Sequence, residues 1–145
     1  MPIVLGTNSY TFSAIDTLTG SGNVDAVTLT AGLTSASIDL AAGNDTLTLA
    51  NATNSATVAN VETITGGTGA ETITLGSALS NSTTVDLAAG NDTLTLAAGG
   101  NTGSLTNVET MVGGSGADTM TIIAAISSRP VAKVPSLPPP VHPTR

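Results

Sequence analysis

The sequence predicts an all-β chain wound as a right-handed parallel β-roll or β-solenoid of about five coils, each of about 23 residues. Three observations carry that expectation. Tyr10 and Phe12 are the only aromatic residues among 145, so a core for a chain of this length must be filled with small aliphatics. Thr, Ala, Gly, Ser and Asn dominate, a composition suited to short strands and tight turns rather than to a helix bundle. The chain also repeats itself. "DLAAGNDTLTLA" fills residues 39–50 and again residues 86–97, and "NVETITGGTGAETITL" from Asn60 is answered by "NVETMVGGSGADTMTI" from Asn107. Both offsets are 47 residues, and self-similarity at such a period marks stacked supersecondary units.

The elements follow in chain order. Residues 1–14 form a cap or partial coil, in which only Tyr10 and Phe12 are suited to covering an end. Residues 15–125 carry the repeats, beginning with a weaker copy, "IDTLTGSGNVDAVTL", from Ile15. Short strands recur after Gly-containing turns: "AVTL", "TLTL", "TITL", "TLTL" and "TMTI". Alternation places Val27 and Leu29, Leu47 and Leu49, Ile73 and Leu75, Leu94 and Leu96, Met120 and Ile122 on one face, with Thr on the other. Stacked in register, these five would form one ladder. A second strand per coil would carry Ile38 and Leu40, Val58 and Val61, Val85 and Leu87, or Leu105 and Val108, and "ANATNSA", "GSALSNS" and "AAGGNTGS" read as outer loops. Residues 126–145 hold six of the seven prolines, a composition that predicts a disordered tail.

Charge narrows the functional classes. Ten acids face three bases, Arg129, Lys133 and Arg145, so residues 1–128 contain no base at all. Such a body repels nucleic acid and draws cations from solution. No cysteine is present, which excludes a disulfide framework and a thiolate metal site. The first ten residues lack a basic start, so no signal peptide is expected there. No run reaches the roughly 20 apolar residues of a membrane span. His142 is the only histidine and falls in the tail, so no Ser/His/Asp or zinc constellation can be assembled and no enzyme is expected.

The acids themselves are ordered. Asp16, Asp39, Glu62, Asp86 and Glu109 recur every 23 or 24 residues and read as a solvated strand face. Asp25, Asp45, Glu71, Asp92 and Asp118 each close a Gly-containing turn, expected along one edge of the coil. Residues 113–121, "GGSGADTMT", fit the nonapeptide G-G-x-G-x-D-x-U-x at every defined position. On these residues the chain resembles the RTX, or haemolysin-type, calcium-binding repeats of secreted bacterial proteins. The resemblance implies a parallel β-roll whose turns hold Ca²⁺, with Asp118 giving carboxylate oxygen and Gly114 and Gly116 giving carbonyls. Glycines would supply positive φ there, and calcium takes six to eight oxygens at about 2.3–2.6 Å. "GGTGAETIT" keeps Gly67 and Gly69 but has Glu71 for Asp; the two "LAAGNDTLT" turns keep Gly43 and Asp45, or Gly90 and Asp92, and lose the leading glycines.

A second class is open as well. Thr46 and Thr48, Thr72 and Thr74, Thr93 and Thr95, Thr119 and Thr121 would form two parallel columns on one flat face, spaced at about 4.8 Å between rungs. Such columns resemble the TxT arrays of ice-binding β-solenoids. The first expectation remains a non-enzymatic, calcium-stabilised segment of a bacterial secreted or cell-surface protein, such as an adhesin, an S-layer protein or a type I secretion cargo. Its partners would be calcium ions, and its open strand edges would allow end-to-end self-association.

Overall fold

The computed structural model describes residues 3–4, 9–13 and 15–124. The expected tail at residues 126–145, and half of the expected cap, lie outside them. The described chain is all-β, with fourteen strands: β1 Ile3–Val4, β2 Ser9–Phe12, β3 Thr17–Thr19, β4 Ala26–Leu29, β5 Ala36–Asp39, β6 Thr46–Thr48, β7 Asn54–Ala59, β8 Thr63–Thr65, β9 Glu71–Leu75, β10 Thr84–Asp86, β11 Thr93–Thr95, β12 Thr102–Thr106, β13 Thr110–Val112 and β14 Thr119–Ala124. Odd-numbered strands form one seven-stranded sheet and even-numbered strands the other, each in chain order. Every pairing is parallel. The chain is therefore a β-solenoid of about six turns, each turn giving one strand to each sheet.

Register fixes the coil length. In the even sheet Tyr10, Val27, Leu47, Ile64, Val85, Leu105 and Ile122 stand side by side, so successive coils take 17, 20, 17, 21, 20 and 17 residues. That is shorter than the expected 23 or so, and the reason lies in the repeat unit. From β6 to β11 the chain advances 47 residues and five strands. Five is odd, so each unit ends on the sheet opposite to the one where it began. The two identical copies of TLTL accordingly lie in different sheets, β6 in the even and β11 in the odd. The single ladder of five such strands is not formed: β4, β6 and β14 belong to the even sheet, β9 and β11 to the odd.

Alternation within each strand supplies the core. Leu18, Ile38, Val58, Ile73 and Leu94 of the odd sheet meet Val27, Leu47, Ile64, Val85 and Leu105 of the even sheet, all buried. Burying an aliphatic side chain of this kind contributes about 1.5–3 kcal/mol, which is how three-residue strands persist when stacked. Tyr10 and Phe12 stack at 6.1 Å between ring centroids and pack against one end of this core. At the other end Met111, Val112, Ile122 and Ile123 are 45–63% exposed. Among the described residues no helix is long and apolar enough to cross a membrane.

Candidate functional site

Two edges join the sheets, and each is built of stacked corners. On the first edge, where the chain passes from an odd strand to an even one, the residue just before the even strand is Asp25, Asp45, Glu62, Thr83, Asn101 or Asp118. On the second edge the matching positions hold Asn54, Glu71, Asp92 and Glu109. All of these but Thr83, whose hydroxyl bonds only to Ser80 of its own turn, tie their coil to a neighbouring one through a side-chain hydrogen bond. The Asp25 N–H donates to Asp45 Oδ1 at 2.7 Å, and the Asp45 N–H to Glu62 Oε2 at 2.8 Å. On the second edge the Glu71 N–H donates to Asp92 Oδ1 at 2.8 Å, and the Asp92 N–H to Glu109 Oε2 at 2.8 Å. A three-carboxylate column therefore stands on each edge: Asp25, Asp45 and Glu62 on the first, Glu71, Asp92 and Glu109 on the second.

Asparagine closes its corners completely. The Asn54 amide donates to the carbonyls of Ala50 at 2.9 Å and Ala52 at 2.7 Å and to Glu71 Oε1 at 3.0 Å, while its Oδ1 accepts the Leu33 N–H. Forty-seven residues later and on the opposite edge, the Asn101 amide donates to Ala97 and Gly99 carbonyls and to Asp118 Oδ1 at 2.7 Å, and its Oδ1 accepts the Leu79 N–H. Both side chains are fully buried.

Aspartate in the doubled line leaves its corner incomplete. Asp45 Oδ2 and Asp92 Oδ2 are buried without a hydrogen-bond partner, and so is Glu71 Oε2. The cause is local. In the Asp25 and Asp118 corners the amide four residues earlier holds the acid: Ser21 N–H donates to Asp25 Oδ2 at 2.8 Å and Gly114 N–H to Asp118 Oδ2 at 3.1 Å. The equivalents for Asp45 and Asp92 are Ala41 and Ala88, which sit in the left-handed region at φ 69° and 63°. Their N–H groups donate instead to Asp39 Oδ1 at 3.0 Å and Asp86 Oδ1 at 2.9 Å. Asn60 and Asn107, both at φ 52°, lock this arrangement by donating to the same Asp39 and Asp86 oxygens.

Electrostatics follow from these surroundings. Burial pushes the Asp45 carboxyl above its usual range, against the Asp25 amide that favours its charged form, and Asp25 and Glu62 add repulsion. Burial likewise raises Glu71, to about 7; the Asn54 amide pulls the other way and the Asp92 carboxylate adds to the rise. Asp92 is raised by burial and by Glu109. Asp118 is lowered, chiefly by its bonds from Asn101. All three bases of the chain fall outside the described residues, so no base among the described residues pairs with the buried carboxylates.

Several expected positions move. The turn acids do not share one edge: Asp25, Asp45 and Asp118 are on the first, Glu71 and Asp92 on the second. The acids read as a solvated face do not form a column; Glu62 and Glu109 enter the corner columns, and Asp39 and Asp86 end strands of opposite sheets. Among the described glycines only Gly99 has a positive φ. Gly67 and Gly114 are required instead because a Cβ at either would strike the carbonyl of Ala50 or Ala97 in the coil below. The Thr residues are split as well, with Thr72, Thr74, Thr93 and Thr95 on the odd sheet and Thr46, Thr48, Thr119 and Thr121 on the even. Asn54 and Asn101 lie in segments read as outer loops; their signal was their place directly before an alternating stretch, where other corners carry an acid.

Among the described residues no three acidic side chains converge on one point that could hold a metal ion. A cation could meet one or two carboxylates, with main-chain carbonyls and water completing its shell. The buried, unpartnered oxygens of Asp45, Glu71 and Asp92 fit that role; the filled Asn54 and Asn101 corners do not. Comparison with protein-family models, curated proteins and solved structures finds no match to this chain.

Proposed function

We propose that the chain is a non-enzymatic, calcium-stabilised β-roll segment of a bacterial secreted or cell-surface protein. The observation that carries this reading is the set of buried carboxylate oxygens without donors, in a body that holds no base. A buried carboxylate left alone costs several kcal/mol, and a hard cation with oxygen ligands is the partner that the surrounding solution can supply. Folding would then be coupled to a calcium-rich, extracellular setting. The exposed Met111, Val112, Ile122 and Ile123 of the last coil support end-to-end self-association, in which a second copy adds the next rung to both sheets. The test is a melting curve in EDTA and in millimolar CaCl₂. Calcium should raise the midpoint by several degrees through preferential binding to the folded state, and magnesium should do much less. Superimposable curves would end the reading.

A second reading draws on the sheet faces. Ser55, Thr72, Thr93 and Thr110 stand in register on the odd sheet, beside Thr57, Thr74 and Thr95. The even sheet carries Thr46, Thr63, Thr84 and Ser104 beside Thr28, Thr48 and Thr65. Hydroxyl columns on both faces suit an ice lattice, and thermal hysteresis that is abolished by combining Thr74→Tyr on the odd sheet with Thr48→Tyr on the even would favour it over the calcium reading.

A further inference from the structure

The turns closest to the calcium-binding nonapeptide, residues 66–71 and 113–118, each stack on a corner already filled by an asparagine amide. We infer that Asn54 and Asn101 stand in for a cation in those corners, and that the divalent-cation sites of this chain are two others, centred on Asp45 and on Asp92. The inference rests on the calcium-stabilised reading and narrows it to one position on each edge.

The asparagine corner shows what the position demands. One nitrogen gathers three oxygens there, two from its own turn and one from the coil above. A hard cation gathers oxygens in the same way, so the amide and the ion are alternative occupants of one kind of corner. Where aspartate replaces asparagine, the amide donor is gone and a negative charge is added. At Asp45 and Asp92 one oxygen accepts a backbone N–H from the coil below; the other is buried with no donor, and at Asp92 it shares its surroundings with the Glu71 carboxyl, which can donate to Asp92 only when protonated. A second carboxylate stacks on each side, Asp25 and Glu62 about Asp45, Glu71 and Glu109 about Asp92. The main-chain amide that could close the corner is held away by Asp39 or Asp86. Both sites come from the same doubled line, and the five-strand unit places them on opposite edges. Because Glu71 Oε2 is also buried without a partner, the Asp92 site has a second carboxylate oxygen to offer and should be the tighter.

Isothermal titration of the full chain with CaCl₂, paired with melting curves in EDTA, tests this. The unmutated chain should take up two calcium ions. Asp45→Asn and Asp92→Asn should each remove one, and the double variant both. Asn keeps the shape and supplies the missing donor, so the double variant should also melt higher in EDTA than the unmutated chain does. Asp118→Ala, in the complete nonapeptide, should leave the stoichiometry at two. Uptake that survives the double variant, or that falls with Asp118→Ala, overturns the inference and leaves the calcium-stabilised reading standing. No uptake by the unmutated chain overturns both.

Discussion

The Asn54 and Asp92 corners lie on the same edge, with the Glu71 corner between them, and they teach why chemically similar side chains are not interchangeable there. Both place a short polar group at the start of an odd-sheet strand, and both accept a backbone N–H from the coil below. Asn54 then shares its two amide hydrogens among three oxygens and leaves nothing unmet, whereas Asp92 keeps a buried oxygen with no donor. The difference is one NH₂ group for one oxygen. An amide lets the solenoid close on itself; a carboxylate makes closing conditional on something from outside, whether a cation or a proton.

The largest effect should come from breaking the closed corner. Asn54→Ala leaves the Ala50 and Ala52 carbonyls, Glu71 Oε1 and the Leu33 N–H without their present partner, in a fully buried position. Each stranded group costs about 1–3 kcal/mol, so a loss of at least about 3 kcal/mol is expected in urea unfolding. Asn60→Ala, which removes a donor from a less buried bond to Asp39 and puts alanine at φ 52°, should cost about 1–2 kcal/mol. Equal losses at the two positions would mean that the Asn54 hub is no more than an ordinary turn contact.

Next comes the response of the open corners to pH. Glu71 is raised from its ordinary 4.5 to about 7, and Asp45 and Asp92 are raised too. A carboxyl whose folded value exceeds its unfolded value binds protons more tightly when folded. Its contribution to stability is therefore fully present below the unfolded value and is lost as pH rises through the folded value. In EDTA the melting midpoint should climb as pH falls from 8 to 5, by the equivalent of about 2–3 kcal/mol, and saturating calcium should flatten that slope. Glu71→Gln narrows the same test to one residue. The carboxamide so introduced can accept from Asn54 and donate to Asp92, so the substitution should add about 1–2 kcal/mol at pH 8 and remove the part of the slope near pH 7. A slope that persists unchanged would assign it to Asp45 and Asp92.

These features were unequally legible in the sequence. The alternation in TLTL and TITL and the 47-residue period sufficed for a parallel solenoid with an aliphatic interior. Coil length did not follow, because β7 and β8 are separated only by Asn60, Val61 and Glu62. So short a corner leaves no Gly-rich punctuation; Asn60 makes it by entering the left-handed region, which asparagine tolerates better than most residues. Without that corner the unit counts four strands rather than five, and everything downstream is assigned to the wrong sheet. The acids of the site were visible as a pattern, but the pairing of Asp45 with Glu62, and of Asp92 with Glu109, depended on the missed corner. Asn54 and Asn101 were hidden among Ser, Thr and Ala because nothing in composition separates a buried asparagine from one in an exposed turn.

The smallest expected change in stability is the one that best probes why the Asp92 corner stays open. Asp86 holds the Ala88 N–H at 2.9 Å and accepts the Asn107 amide at 2.8 Å. Asp86→Ala removes both bonds, worth about 0.5–1.5 kcal/mol each. It also releases Ala88 from φ 63°, a conformation that costs a non-glycine residue about 1–2 kcal/mol. Once free, the Ala88 N–H can turn to Asp92 Oδ2, as the amide four residues earlier does for Asp25 and Asp118. Losses and gains nearly cancel, so the net change should stay within about 1 kcal/mol, while slowed hydrogen exchange at the Ala88 amide and weaker calcium uptake report the closed corner. A loss above about 2 kcal/mol, with the Ala88 amide exchanging faster than before, would show that Asp86 supports the strand end and that the unpartnered Asp92 oxygen has some other origin.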